Sequence, residues 1–156
     1  MTSVIGLIGG DEFGRNCVTM DRIILKATGV ACPTVLVIPT AAAKENPLKA
    51  IGNGVAHFEA IGAKATGLLV LNKKHANDAE LLSSIDFADV IYFTGGDPKY
   101  LLATLEGSVL LAKTKMALSS GKTVVGSSAG AMVLGSWMRS DTWSRALEVV
   151  TGVAVL

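Results

Sequence analysis

Histidine is scarce in this chain: among 156 residues only His57 and His75 carry an imidazole, and none follows Ser128. The two are far apart in sequence and far from both cysteines, so they offer no metal-ligand spacing. His57 falls within a helical pattern and His75 in a polar loop after Lys73-Lys74, and each reads as a surface residue. Cysteine is just as sparse. Cys17 and Cys32 make neither a disulfide framework nor a metal set, and free buried thiols of a cytoplasmic protein are the default reading, with a bridge between them left open. Charge is low at 17%, with a net value of +1, which gives no argument for a nucleic-acid or strongly acidic partner. Aromatics make up only 5%, so the core must be mainly aliphatic. No apolar run reaches the roughly 18 residues of a membrane span, and no basic start precedes the first apolar stretch, so neither a membrane helix nor a secretory leader is expected.

What the chain has is apolar residues, 50% of the total, and 17 glycines. That balance suits central strands buried on both faces. Short apolar runs read as strands over 4–8, 35–38, 65–71, 90–93 and 123–125, with a last apolar run over 152–156. Helical patterns lie between them over 21–27, 47–61, 78–85, 98–105 and 109–119. Asn46 before Pro47 and Asp97 before Pro98 read as N-caps followed by a first-turn proline. The alternation predicts a single α/β domain over 1–156 with a mostly parallel sheet and helices on both faces. Residues 140–150 give no clear element, and Trp143 reads as packing on the sheet. A terminal strand that is apolar throughout would lie exposed or poorly paired, which marks the sequence as a fragment whose C-terminal part is missing.

The most informative run is Gly126-Ser127-Ser128-Ala129-Gly130, between the β-branched stretch Thr123-Val124-Val125 and a helix read over 129–137, with Met132, Val133 and Trp137 as buried positions. A serine at such a turn is forced into a strained backbone conformation, and its neighbours must be small for strand and helix to approach. Ser128 is either an exposed nucleophile, with the Ala129 N–H as an oxyanion donor, or simply the N-cap of the helix. Ser127 sits at a position that points elsewhere. A second glycine turn, Thr94-Gly95-Gly96-Asp97-Pro98, follows the strand at 90–93. A parallel sheet brings both turns to one edge, where the Gly96 N–H supplies a second oxyanion donor.

These two turns, Phe93-Thr94-Gly95-Gly96-Asp97-Pro98 with Tyr100-Leu101-Leu102 and GSSAGAMVL over 126–134, resemble the dipeptidase E and cyanophycinase family of serine peptidases. Weaker matches are the stretches 7–13, 37–43 and 57–63, so the resemblance runs through nearly the whole chain. It implies a class I glutamine amidotransferase-like fold, a flavodoxin-like three-layer sandwich. It implies Ser128 as nucleophile, Gly96 and Ala129 as the oxyanion hole, and Gly95, Asp97, Gly126 and Gly130 as support for the elbow and site loop. It also implies short or aspartyl-containing peptides as substrates, no cofactor and no metal. The family's base is a histidine just past an apolar strand, and here that position falls beyond Leu156. A noncatalytic or truncated member is therefore the alternative. A glutamine amidotransferase is a third reading, opposed by serine where those enzymes use cysteine. Homo-oligomerisation is left open.

Gly6, Gly9, Gly10 and Gly14 do not make a dinucleotide site. Asp11 stands where a second glycine is needed, and the second strand ends in Pro39-Thr40 rather than an acidic residue. Asp11 and Glu12 follow the first strand on the expected active edge, where they either touch substrate or, the preferred reading, form a solvated loop.

Overall fold

The computed structural model describes residues 3–156. Five strands, β1 (Val4–Ile8), β2 (Thr34–Ile38), β3 (Lys64–Gly67), β4 (Val90–Phe93) and β5 (Thr123–Ser127), form an all-parallel sheet in the order β1-β5-β4-β2-β3. Five helices accompany them: α1 (Val18–Ala27), α2 (Pro47–Ala60), α3 (Pro98–Leu105), α4 (Val109–Ser119) and α5 (Ala129–Leu134). The crossovers through α1 and α2 step one way across the sheet, and those through Leu81–Phe87 and through α3 and α4 step back. With handedness fixed for parallel crossovers, reversing the step puts the two helix sets on opposite faces.

Alternate residues of each strand feed two separate cores. Val35, Val37, Val90, Tyr92 and Val125 pack with Ile24 and Leu25 of α1 and Phe58 of α2. Leu36, Ile38, Ile91, Phe93 and Val124 pack with Leu101 and Leu105 of α3, Leu110 of α4 and Val133 and Leu134 of α5. The period-two alternation of a strand buried on both sides thus builds the three-layer α/β fold expected from the composition.

The caps behave as the sequence implies. Asn46 Oδ1 accepts from the Lys49 N–H at 3.1 Å and Asp97 Oδ1 from the Tyr100 N–H at 3.0 Å, each with proline in the first turn. Four expectations need correction. The segment expected as a helix over 78–85 is a run of 3₁₀ turns at Leu81–Phe87. Its polar side chains bind the local backbone, as in Asp78 Oδ1 accepting from the Glu80 and Leu81 N–H groups, and so compete with an α-helix. The strand expected to run to Leu71 stops at Gly67, because β2, its only neighbour, ends at Ile38 before Pro39. Helix α5 ends at Leu134 instead of Trp137, because the N–H groups of Leu147, Val149 and Val150 take its last carbonyls. Trp137 and Trp143 are not buried; they are 44% and 51% exposed on a small second sheet.

That sheet consists of β6 (Trp137–Arg139), β7 (Trp143–Arg145) antiparallel to it, and β8 (Ala154–Val155) parallel to it. The last apolar run is therefore paired, not free, although only two of its residues are strand. Cys17 is buried and Cys32 exposed, and both are free thiols. Among the described residues no helix is long and apolar enough to cross a membrane.

Candidate active site

In a parallel sheet every strand-to-helix turn falls on one edge. β1, β5, β4 and β2 are adjacent, so the turns after them converge. The pocket they form has a volume of about 540 Å³, and its walls include Glu12, Lys49, Gly95, Gly96 and Ser128.

Ser128 follows β5 directly. Its backbone lies at φ 47°, ψ −110°, a conformation that side-chain-bearing residues rarely adopt. It is held there because its N–H donates to the Ile8 carbonyl at 2.8 Å while its own carbonyl accepts from the Met132 N–H at 2.9 Å. The side chain makes no capping hydrogen bond, and the residue is exposed. Ser128 thus holds the N-cap position of α5 without capping it through its side chain. The flanking glycines are required by contact. A Cβ on Gly126 would meet Gly130 carbonyl atoms at 2.4 Å, and one on Gly130 would meet the Phe93 carbonyl oxygen at 2.4 Å.

Gly95 and Gly96 face this elbow. A Cβ on Gly95 would stand 3.3 Å from Ser128 Cβ. Gly96 adopts φ 139°, and a Cβ there would strike the Ala41 carbonyl oxygen at 2.3 Å, so the position admits only glycine. The Asp97 N–H donates to that same carbonyl at 2.9 Å. Among the described residues neither the Gly96 nor the Ala129 N–H has a protein acceptor, so both donors are available beside Ser128. The structure thus brings Ser128, Gly95, Gly96, Asp97, Gly126, Ala129 and Gly130 to one edge.

A second, smaller slot of about 150 Å³ opens on the other side of Ser128, between Leu7, Ile8, Met132, Val155 and Leu156. Neither pocket that Ser128 lines contains a histidine. His57, expected at the surface, is buried: its side chain is 7% exposed, and Nε2 lies 2.7 Å from Asp21 Oδ2. Burial raises the Asp21 pKa, and the hydrogen bond to His57 pulls it partly back. His75 accepts from the Leu71 N–H at 3.3 Å in a loop.

Glu12, read from the sequence as part of a solvated loop, is half-buried and bonded to the site loop. Its Oε2 accepts from the Gly95 N–H at 2.8 Å, and desolvation raises its pKa despite that bond. Ser127 Oγ and Tyr92 OH lie fully buried below it with no hydrogen bond of ordinary geometry, and the Tyr92 hydroxyl is pushed upward by burial and by the Glu12 charge. Glu12 stands two residues past Gly10, just beyond the end of β1, and that place at the active edge is its one signal in the sequence. No group of three or more His, Cys, Asp or Glu side chains among the described residues is placed to hold a metal.

Residues 6–151 match the sequence profile of Peptidase family S51. The chain belongs to that family. Cyanophycinases of Synechococcus elongatus and of Thermosynechococcus vestitus are each 28% identical to it over 98% of this chain. The crystal structure of a peptidase from an acI-B1 actinobacterium superposes with a TM-score of 0.85 at 27% identity, covering 96% of this chain and 66% of that one. The chain spans about half the length of the cyanophycinases, 49%.

Proposed function

We propose that the protein is a serine peptidase of the exopeptidase or dipeptidase type, cleaving short or aspartyl-containing peptides through an acyl-enzyme on Ser128. The observation that carries the reading is Ser128 itself, an exposed serine held at φ 47° between two glycines that press backbone on backbone. Such strain persists only where the surroundings over-determine it, and it clusters at functional sites. In the proposed reaction Ser128 Oγ bonds to the scissile carbonyl carbon and gives up its proton to a base. The Gly96 and Ala129 N–H groups donate to the oxygen that becomes negative. Collapse breaks the C–N bond, the leaving amine takes the proton from the base, and water then hydrolyses the ester. Lys49 is the one lysine on the pocket wall and the natural partner for an aspartyl carboxylate. The base is assigned to a histidine beyond Leu156. Support comes from the small slot, where Val155 and Leu156 lie alongside Ser128.

The test is hydrolysis by the full-length protein of aspartyl, isoaspartyl and neutral dipeptides. Aspartyl peptides should be cleaved, and Ser128→Ala should lose about four orders of magnitude in rate. Equal turnover by wild type and Ser128→Ala would refute the reading. A noncatalytic role is the second reading, favoured by the lack of histidine in both pockets at Ser128. Absence of cleavage with every peptide would select it.

A further inference from the structure

The loop between β1 and α1 is bent in an unusual way. Asp11 and Phe13, neither of them glycine, take φ values of 55° and 64°, and Gly10 between β1 and Asp11 takes 150°. Two left-handed residues therefore bracket Glu12, a backbone that side-chain-bearing residues adopt only where their surroundings hold them there. The conformation is held in place by its surroundings. The Phe13 ring packs against His57, Phe58 and Tyr92 with centroids 5.8, 6.0 and 5.2 Å away, and the Asp11 carbonyl accepts from the Gly14 N–H at 3.0 Å. The result is to aim one carboxylate at one backbone amide, that of Gly95.

That carboxylate is poorly placed for stability. No salt bridge among the described residues involves Glu12; Tyr92 and Cys17, whose ionisation its charge opposes, are acids, and Lys49 shares the pocket wall without pairing to it. A half-buried carboxylate without a cation costs more than an amide of the same shape. Its one strong interaction is the charge-assisted bond to Gly95. Gly95 lies between the two groups: the position of its absent Cβ is 3.6 Å from both Glu12 carboxylate oxygens and 3.3 Å from Ser128 Cβ.

We propose that Glu12 is a positioning residue for the oxyanion hole, pinning the Gly95 peptide so that the next N–H, that of Gly96, stays turned toward Ser128. The inference rests on the serine-peptidase reading of Ser128. A Gly-Gly peptide has no side chain to resist rotation. Rotated, it would present a carbonyl oxygen where the oxyanion forms, replacing attraction by repulsion. Two clamps prevent this, the Asp97 N–H on the Ala41 carbonyl on one side and the Gly95 N–H on Glu12 on the other.

The experiment compares the rate at which a fluorophosphonate labels Ser128 in the full-length wild type, Glu12→Ala and Glu12→Gln, with melting temperature as the fold control. Glu12→Ala should label about tenfold or more slowly, because a misaligned donor loses much of its effect. Glu12→Gln should recover to within a few-fold, since its carbonyl still accepts the Gly95 N–H. A purely structural role would not order the three in that way. Wild-type rates in folded Glu12→Ala, or a loss in Glu12→Gln as deep as in Glu12→Ala, would overturn the proposal. The Gly95 amide resonance gives a second readout, independent of any chemistry on Ser128. It should titrate with acid in the wild type and stay still in Glu12→Gln, in which Asp11, Asp21, His57, Tyr92 and Cys17 are unchanged. A resonance that moves equally in both overturns the clamp. Wild type that titrates but never labels removes the nucleophile reading instead, and with it the catalytic role of the clamp.

Discussion

At the scale of single residues, the site is built from strain and burial, and both make measurable claims. Ser128 sits at φ 47°. Glycine relaxes that backbone, so Ser128→Gly should stabilise the fold by about 1 kcal/mol net of its own entropy cost, read by urea denaturation. Ser128→Ala keeps the strain and should leave stability unchanged within error. The buried Asp21–His57 pair predicts the opposite sign. His57→Ala strands the Asp21 carboxylate in a site 1% exposed and should cost about 2 kcal/mol or more. Glu12 predicts a pH dependence. Its folded pKa is raised above the ordinary 4.5, so the folded protein holds that proton more tightly than the unfolded chain does. The associated stability is fully present below 4.5 and is lost as pH rises through the raised value. Glu12→Gln should therefore gain stability relative to wild type across that window and hold a constant advantage above it.

At the scale of elements, the glycines separate into those the packing demands and those it merely tolerates. Gly130→Ala drives a methyl into the Phe93 carbonyl and Gly96→Ala drives one into the Ala41 carbonyl; each should cost about 1–3 kcal/mol. Gly52, in α2, has nothing within 4 Å of a Cβ, so Gly52→Ala should stabilise by about 0.5–1 kcal/mol, whereas Gly54→Ala meets the Phe13 ring at 2.9 Å and should not. Differential scanning calorimetry of the set reads all four. Strands β1, β2, β4 and β5 and helix α4 were legible in the sequence from their apolar patterns, and α2 and α3 also because N-cap and first-turn proline agree at their starts. The end of α5 was not, because it is fixed by N–H groups of residues 147–150, a contact that no local pattern encodes. His57 misled for the same reason. A histidine on a helix reads as solvated until the fold sets Asp21 of α1 against it. The elbow was legible because Gly126, Ser128 and Gly130 satisfy a local steric need. Glu12 was not, because its partner Gly95 is 83 residues away in sequence.

At the scale of the whole molecule, the strand order carries the functional argument. Placing β5 between β1 and β4 sets the serine turn beside the Gly95-Gly96 turn and the Glu12 loop, and no other arrangement of these five strands does so with each crossover on its present face. The chain belongs to peptidase family S51 and covers 49% of the length of its cyanophycinase relatives. The proposal that the base lies beyond Leu156 predicts a sharp contrast. The 156-residue chain should turn over peptide orders of magnitude more slowly than a longer gene product, because removing a triad member costs that much. The central claim, that Ser128 is a nucleophile, is tested most directly by treating the full-length protein with a fluorophosphonate and mapping the adduct by mass spectrometry. The account predicts one adduct, on Ser128, absent from Ser128→Ala. Labelling that is unchanged in Ser128→Ala, or an adduct on another serine, would contradict it.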